Sequence, residues 1–174
     1  MYLPGGEWPT YYSKSKGINI WDLKGKKYLD FTMLGVGSCV FGYSDKDVNK
    51  VAIKVINGGP LTTLNPIEEV ELAEILLDIH PWADQVKYAR TGGEMMSMAV
   101  RIARAASRKS KILFCGYHGW HDWYLSSNLS KTDSLKDHLL PGLEPIGVPY
   151  EMTGSVIPFK FNNWNDLNKI IKKN

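Results

Sequence analysis

The apolar positions change period along the chain, and each change marks an element. Over residues 1–43 they come in short runs broken by turn residues: Ile18 to Trp21 and Lys27 to Phe31 flank Lys24-Gly25, which predicts a hairpin in a turn-rich antiparallel segment. From Ser44 the spacing becomes helical. Val48, Val51, Ala52 and Val55 repeat on one face, Ser44 offers an N-cap with Asp47 three residues on, and Asn57-Gly58-Gly59 ends the run. A second helix is announced by Asn65-Pro66-Ile67-Glu68, an N-cap, a first-turn proline and a capping-box glutamate in order, and it runs to about His80, where Pro81 stops it.

Beyond Pro81 the pattern alternates between element types. Val86 to Ala89 predicts a short strand, Gly92-Gly93 a turn, Glu94 to Ser107 a helix, and Lys111 to Cys115 a strong apolar strand. Strand, turn, helix and strand make a βαβ unit with a right-handed crossover, so the fold class is α/β with a parallel sheet. Met95, Met96, Met98, Ala99, Ile102 and Ala103 read as the helix's buried face, and Arg101, Arg104 and Arg108 as its solvated side. Gly116 to Asn128 is aromatic and polar, Leu139 to Pro149 is rich in proline and glycine, and Ile157 to Phe161 predicts another strand. An N-capped helix over Asn163 to Lys173 follows, with Leu167, Ile170 and Ile171 needing a surface to cover. The expected organisation is an antiparallel segment over 1–43, linking helices over 44–84, and the first part of an α/β domain over 85–174. A parallel sheet that has only begun leaves edges uncovered, so the chain reads as cut short.

Composition narrows the function classes. At 174 residues, with 44% hydrophobic and 22% charged positions, the chain is neither disordered nor fibrous, and its length suits one domain or two small ones. Its 21 Lys and Arg against 18 Asp and Glu leave +3 spread along the sequence, which argues against nucleic acid as a partner. No apolar stretch approaches the roughly 18 residues of a membrane span, and the opening MYLPGGEWPTYY lacks the charged and apolar regions of a signal peptide. Cys39 and Cys115 make no disulfide framework, which points to a reducing, cytoplasmic setting.

Two stretches carry candidate chemistry. Ala89-Arg90-Thr91-Gly92-Gly93-Glu94 is a strand end turning through glycines into a helix, where unpaired amides and the helix dipole favour a phosphate. The same spacing also serves a plain tight turn whose Glu94 offsets the dipole, and it matches neither a dinucleotide fingerprint nor a Walker loop. The second stretch, Gly116-Tyr117-His118-Gly119-Trp120-His121-Asp122-Trp123-Tyr124, follows a strand, where ligands bind in open α/β sheets. Its aromatics could stack on a flat ring or belong to a core or interface; both readings stay open. Cys115, His118 and His121 lack a fourth ligand and the usual zinc spacing, so no metal is assigned. Gly35-Val36-Gly37-Ser38-Cys39 lacks the second glycine of a nucleophile elbow, so no serine hydrolase is indicated.

Taken together, these stretches resemble the N-terminal part of class III pyridoxal-phosphate-dependent aminotransferases, in particular the glutamate-1-semialdehyde aminomutase-like branch. Pro4-Gly5-Gly6 is similar to the family's opening, and Gly17 to Phe31 to its N-terminal hairpin. Thr91-Gly92-Gly93-Glu94-Met95 resembles its Ser-Gly-Thr-Glu-Ala phosphate turn, and Tyr117-His118-Gly119 its aromatic-His-Gly motif. The resemblance implies a fold-type I transferase using pyridoxal 5'-phosphate, with Gly92 and Gly93 holding the phosphate beside Thr91, Tyr117 stacking on the ring, and His118 next to it. It implies a small-molecule amino donor and carbonyl acceptor, and a homodimer with exposed aromatics near Trp120 to Tyr124 at its interface. The family's Schiff-base lysine and pyridine-facing aspartate lie downstream of the segment matching Asn163 to Lys173, so no catalytic residue is assigned, and this chain alone is expected to be inactive. Where aminomutases carry an arginine after the opening, the chain reads Trp8-Pro9-Thr10-Tyr11-Tyr12, and the tract after Gly119 also departs from theirs. Amino transfer between two molecules is therefore favoured over the 2,1-shift of an aminomutase. The rival outside enzymes is a catalytically dead fragment that binds a partner.

Overall fold

The computed structural model describes residues 9–130 and 144–173. Pro4-Gly5-Gly6, Trp8 and the Leu139 to Leu143 part of the proline-rich tract lie outside them. Two compact units divide between Leu72 and Ala73.

In the first unit, β1 (Tyr12–Lys16), β2 (Asn19–Asp22) and β3 (Lys27–Leu29) form an antiparallel sheet in that order. The predicted hairpin is β2–β3, with Ile20 opposite Tyr28, and β1 joins it with Ser15 opposite Ile20. Asp22 organises the turn: its Oδ1 accepts from the amides of Lys24 and Lys26, each at 2.9 Å, and its Oδ2 from the Tyr28 hydroxyl at 3.0 Å. Desolvation pushes this carboxyl up, but the bonds from Lys26, Tyr28 and Lys24 outweigh it and hold it below the ordinary range. The segment after β3 closes back on the sheet at Tyr43, whose backbone exchanges two 2.8 Å bonds with Gly17 and whose hydroxyl donates to Asp30 at 2.6 Å. Bonding to the Asp30 carboxylate, aided by desolvation, pushes the Tyr43 phenol up to about 12.

Helix α1 (Lys46–Gly58) is capped one residue later than expected. Asp45 accepts from the amides of Asp47 and Val48, both at 3.0 Å. Ser44 is drawn away: at φ 53 its hydroxyl donates to the Ser15 carbonyl at 2.9 Å. The apolar face of α1 is exposed at Val48 and Val51. Helix α2 spans Ile67–Ile79, close to its predicted bounds.

In the second unit, Val86 to Ala89 does not form the predicted strand. A strand exists through its partner, and this segment has no ladder among the described residues. The parallel pair is β4 (Ile112–Phe114) with β5 (Val156–Pro158), Ile112 opposite Val156. Helix α3 (Gly92–Ser107) precedes β4; the short helices α4 (Asp122–Leu125) and α5 (Ser127–Ser130) follow it. Helix α6 (Trp164–Lys173) is capped by Asn163, whose Oδ1 accepts from Asp166 N at 3.0 Å, and it buries no residue.

The core joins these elements: Val100 of α3, Phe114 of β4, Trp123, Tyr124 and Leu125 of α4, Val148, and Val156 of β5. Three expectations change here. The residue that α3 buries is Val100, supported by Met96, whereas Ile102, Ala99 and Ala103 are exposed. Arg104 is not simply solvated, since its Nε donates to the Ser110 carbonyl at 2.9 Å and its Nη2 to the Ser155 carbonyl at 3.4 Å, tying the end of α3 to the approach of β5. Trp123 and Tyr124, expected among the exposed aromatics, are core residues packed on Phe114, Trp123 edge-on and Tyr124 tilted, with centroids 5.9 and 5.2 Å away. Among the described residues one parallel pair, β4 with β5, carries this core, so each ring counts. Phe114→Ala is expected to cost about 3–5 kcal/mol and Ile102→Ala well under that, as read from the urea midpoint of each variant.

Candidate functional site

The N-terminus of α3 determines what the site can hold. Thr91 is extended at φ −130 and ψ 156, and its hydroxyl oxygen accepts from Glu94 N at 3.3 Å. The Glu94 carboxylate turns back to accept from the amides of Arg90 and Thr91, both at 3.1 Å, completing a capping box. Met95 N makes the first helical bond, to the Thr91 carbonyl at 3.0 Å. Among the described residues this leaves the amides of Gly92 and Gly93 without an acceptor, at the positive end of the helix dipole. Thr91 keeps its own hydroxyl proton to donate. Glu94 therefore does more than offset the dipole: it consumes the flanking amides and leaves the two glycines bare.

The second wall comes from residues 116–121. Phe114 ends β4, and a chain reversal at Gly116 brings Tyr117 and His118 alongside the α3 turn. Gly119, at φ 99, admits the close approach, since a Cβ there would lie 3.1 Å from Gly93 Cα. The His118 ring is oriented by Nε2, 2.7 Å from the Cys115 carbonyl, and lies edge-on to Phe114. Tyr117 is 51% exposed, its ring meeting Tyr124 edge-on at 5.8 Å. Tyr124 is fully buried beneath; its hydroxyl donates to the Gly116 carbonyl at 3.2 Å, and desolvation, with Tyr117 nearby, pushes its phenol up to about 12.

Thr91, Gly92, Gly93, Tyr117 and His118 all line one open cleft of about 660 Å³, together with Glu94, Met96, Gly119, Trp120 and His121. In the sequence, His121 stands out only as part of an incomplete metal set with Cys115 and His118. Its place two residues after Gly119, before the buried Trp123 and Tyr124, was the available signal. Among the described residues, no lysine lines the cleft.

The chain belongs to the class-III aminotransferase family, whose profile matches residues 3–168. It is 37% identical over 124 residues to a 2'-deamino-2'-hydroxyneamine transaminase of Streptomyces kanamyceticus, covering 70% of this chain and 31% of that protein. It is 31% identical over 169 residues to a glutamate-1-semialdehyde 2,1-aminomutase of Thermoplasma volcanium, covering 96% of this chain and 39% of that protein. An omega-transaminase from Sphaerobacter thermophilus superposes with a TM-score of 0.79 at 25% identity, over 97% of this chain and 39% of the other. The chain thus spans about a third to two fifths of the length of these relatives, and its α/β architecture is that of fold-type I transferases. A transaminase described with pyridoxal phosphate bound superposes with a TM-score of 0.81 at 21% identity, which bears on the fold.

A group with a phosphate at one end and a flat ring at the other fits the cleft. The two bare amides make an anion cradle, and a Cβ on Gly92 would meet nothing within 4 Å, so that face of the turn is open. Tyr117 offers an accessible ring on the same cleft. Thr91→Ala removes the cap, so it is expected to cost about 1 kcal/mol, with Thr91→Ser close to wild type; urea unfolding followed by circular dichroism measures both.

Proposed function

We propose that this chain is the cofactor-anchoring portion of a pyridoxal-phosphate-dependent aminotransferase, whose whole reaction moves an amino group from an amino acid to an aldehyde or ketone. The observation that carries the reading is the pair of unpartnered amides at Gly92 and Gly93, facing the same cleft as the exposed Tyr117 ring. In this reading the Gly92 and Gly93 amides and the Thr91 hydroxyl donate to the cofactor phosphate. The dipole of α3 adds its favourable field. Tyr117 covers a face of the ring, and His118, held by the Cys115 carbonyl, borders it. When bound, pyridoxal phosphate supplies the electron sink for amino-group chemistry. The protein's share is to fix the plane and position of the ring.

Among the described residues no lysine lines the cleft, so in this reading the amine that would attach the cofactor covalently is not one of the cleft's described residues. We therefore assign the chain alone binding without turnover. In this reading the full-length protein pairs with a second copy of itself as a homodimer. The exposed apolar side chains of Phe31, Val36 and Phe41 suit such a covered surface. The unpaired Cys39 and Cys115 suit a reducing, cytoplasmic location, and no helix among the described residues is long and apolar enough to cross a membrane.

Aminomutase relatives at 31% identity keep the 2,1-shift as a second reading. The full-length enzyme separates the two: isomerisation of one substrate without an added acceptor marks a mutase, and dependence on an acceptor marks a transaminase. For the chain itself, equilibrium dialysis should show binding of pyridoxal phosphate well above that of pyridoxal, with no conversion to pyridoxamine phosphate when alanine is added. Equal retention of the two ligands, or of neither, removes the anchoring role.

A further inference from the structure

Gly93 and His121 are sterically matched. A Cβ on residue 93 would fall 2.7 Å from both Cδ2 and Nε2 of His121, closer than real Cβ contacts come, so any other residue at 93 would have to displace the ring. The backbone at His121 is fixed and the ring is stacked on one face. Its residue opens α4, with the backbone carbonyl accepting from the amides of Tyr124 and Leu125 at 2.9 and 3.1 Å, and Trp120 stacks on the imidazole at 5.3 Å and 14°. Gly119 brings this segment onto Gly93 from the other side. The Nε2 edge thus lies against the first turn of α3, beside the two amides that lack acceptors, and the imidazole makes no hydrogen bond among the described residues. It fills the space into which a side chain at 93 would grow, and that is where the turn this segment resembles carries threonine.

We propose that His121 is a phosphate-binding residue of the cofactor site, donating from Nε2–H to the anion that the Gly92 and Gly93 amides hold. This rests on the pyridoxal phosphate reading and deepens it: the side-chain donor missing from position 93 is supplied by another segment. A neutral imidazole carries one N–H donor, and a bond from it to an ionised phosphate is stronger than one between neutral groups. The neighbouring helix dipole favours the anion at this spot as well. The cradle is therefore made by two stretches of chain, one from the α3 turn and one from the entry to α4.

The test is equilibrium dialysis of pyridoxal phosphate and of pyridoxal against the whole encoded protein, with circular dichroism on each variant. His121→Phe keeps a flat ring but removes the donor. It is expected to weaken pyridoxal phosphate binding about tenfold or more while leaving pyridoxal binding unchanged. Gly93→Ser alone places its Cβ on the imidazole and should also weaken the phosphate ligand, whereas Gly93→Ser with His121→Ala should recover to within about threefold of wild type, one hydroxyl donor replacing the other. If His121→Phe retains wild-type affinity for pyridoxal phosphate, the ring only fills space and the proposal is overturned. Should that variant lose its folded spectrum, the double variant decides: recovery supports a donor at this position, and no recovery overturns it. A wild-type protein that does not prefer pyridoxal phosphate to pyridoxal instead overturns the cofactor reading on which this rests.

Discussion

An α-helix cannot satisfy its own first amides, and the way α3 disposes of them decides what the cleft can hold. Glu94 at the third helical position accepts from Arg90 and Thr91, Thr91 accepts from Glu94, and Met95 enters the helical ladder. Two donors remain, both on residues without side chains. A polar side chain at either place could turn onto its own backbone, as serine and aspartate commonly do. Glycine leaves the donors bare and the approach clear. The turn thus stabilises the helix with one set of amides and leaves another set open, the set that the proposed reading gives to an anion.

The rest of the second unit holds that turn in register with its opposite wall. Phe114, Trp123 and Tyr124 form the aromatic floor from which residues 116–121 rise, and the Tyr124 hydroxyl fixes the Gly116 carbonyl. At the far end of α3, Arg104 reaches the Ser110 and Ser155 carbonyls, so the helix is anchored at the end away from the cleft. The position of the α3 terminus is thus set by packing elsewhere in the unit.

Local chemistry was legible in the sequence, and contacts between distant residues were not. The hairpin around Lys24-Gly25, the Thr91 to Glu94 turn, the β4 strand and the Asn163 cap each follow from neighbours within a few residues, and each formed. Ser44 and Asp45 are both good capping residues, and what chose Asp45 is a bond from Ser44 to Ser15, far back along the chain. Val86 to Ala89 had the composition of a strand but no ladder among the described residues. Helical spacing marked the apolar run of α3 yet could not say that Val100 would be its buried position, because that depends on where β4 and β5 lie. His121 passed as a weak metal candidate because its packing on Gly93 crosses from α4 to α3.

The pairing of β4 with β5 has a temporal side. Ile112 meets Val156 only after the whole intervening stretch, with α4 and α5 in it, has been brought round, and a parallel pair closed across so long a loop is slow to form. Helix α3, whose contacts are mostly local, can exist well before that closure, but without Phe114 and Tyr124 in place it has no opposite wall. During synthesis the α3 turn therefore emerges early and gains its opposite wall late, so on the proposed reading a hold on a phosphorylated ligand would mark the end of folding in this unit rather than its beginning.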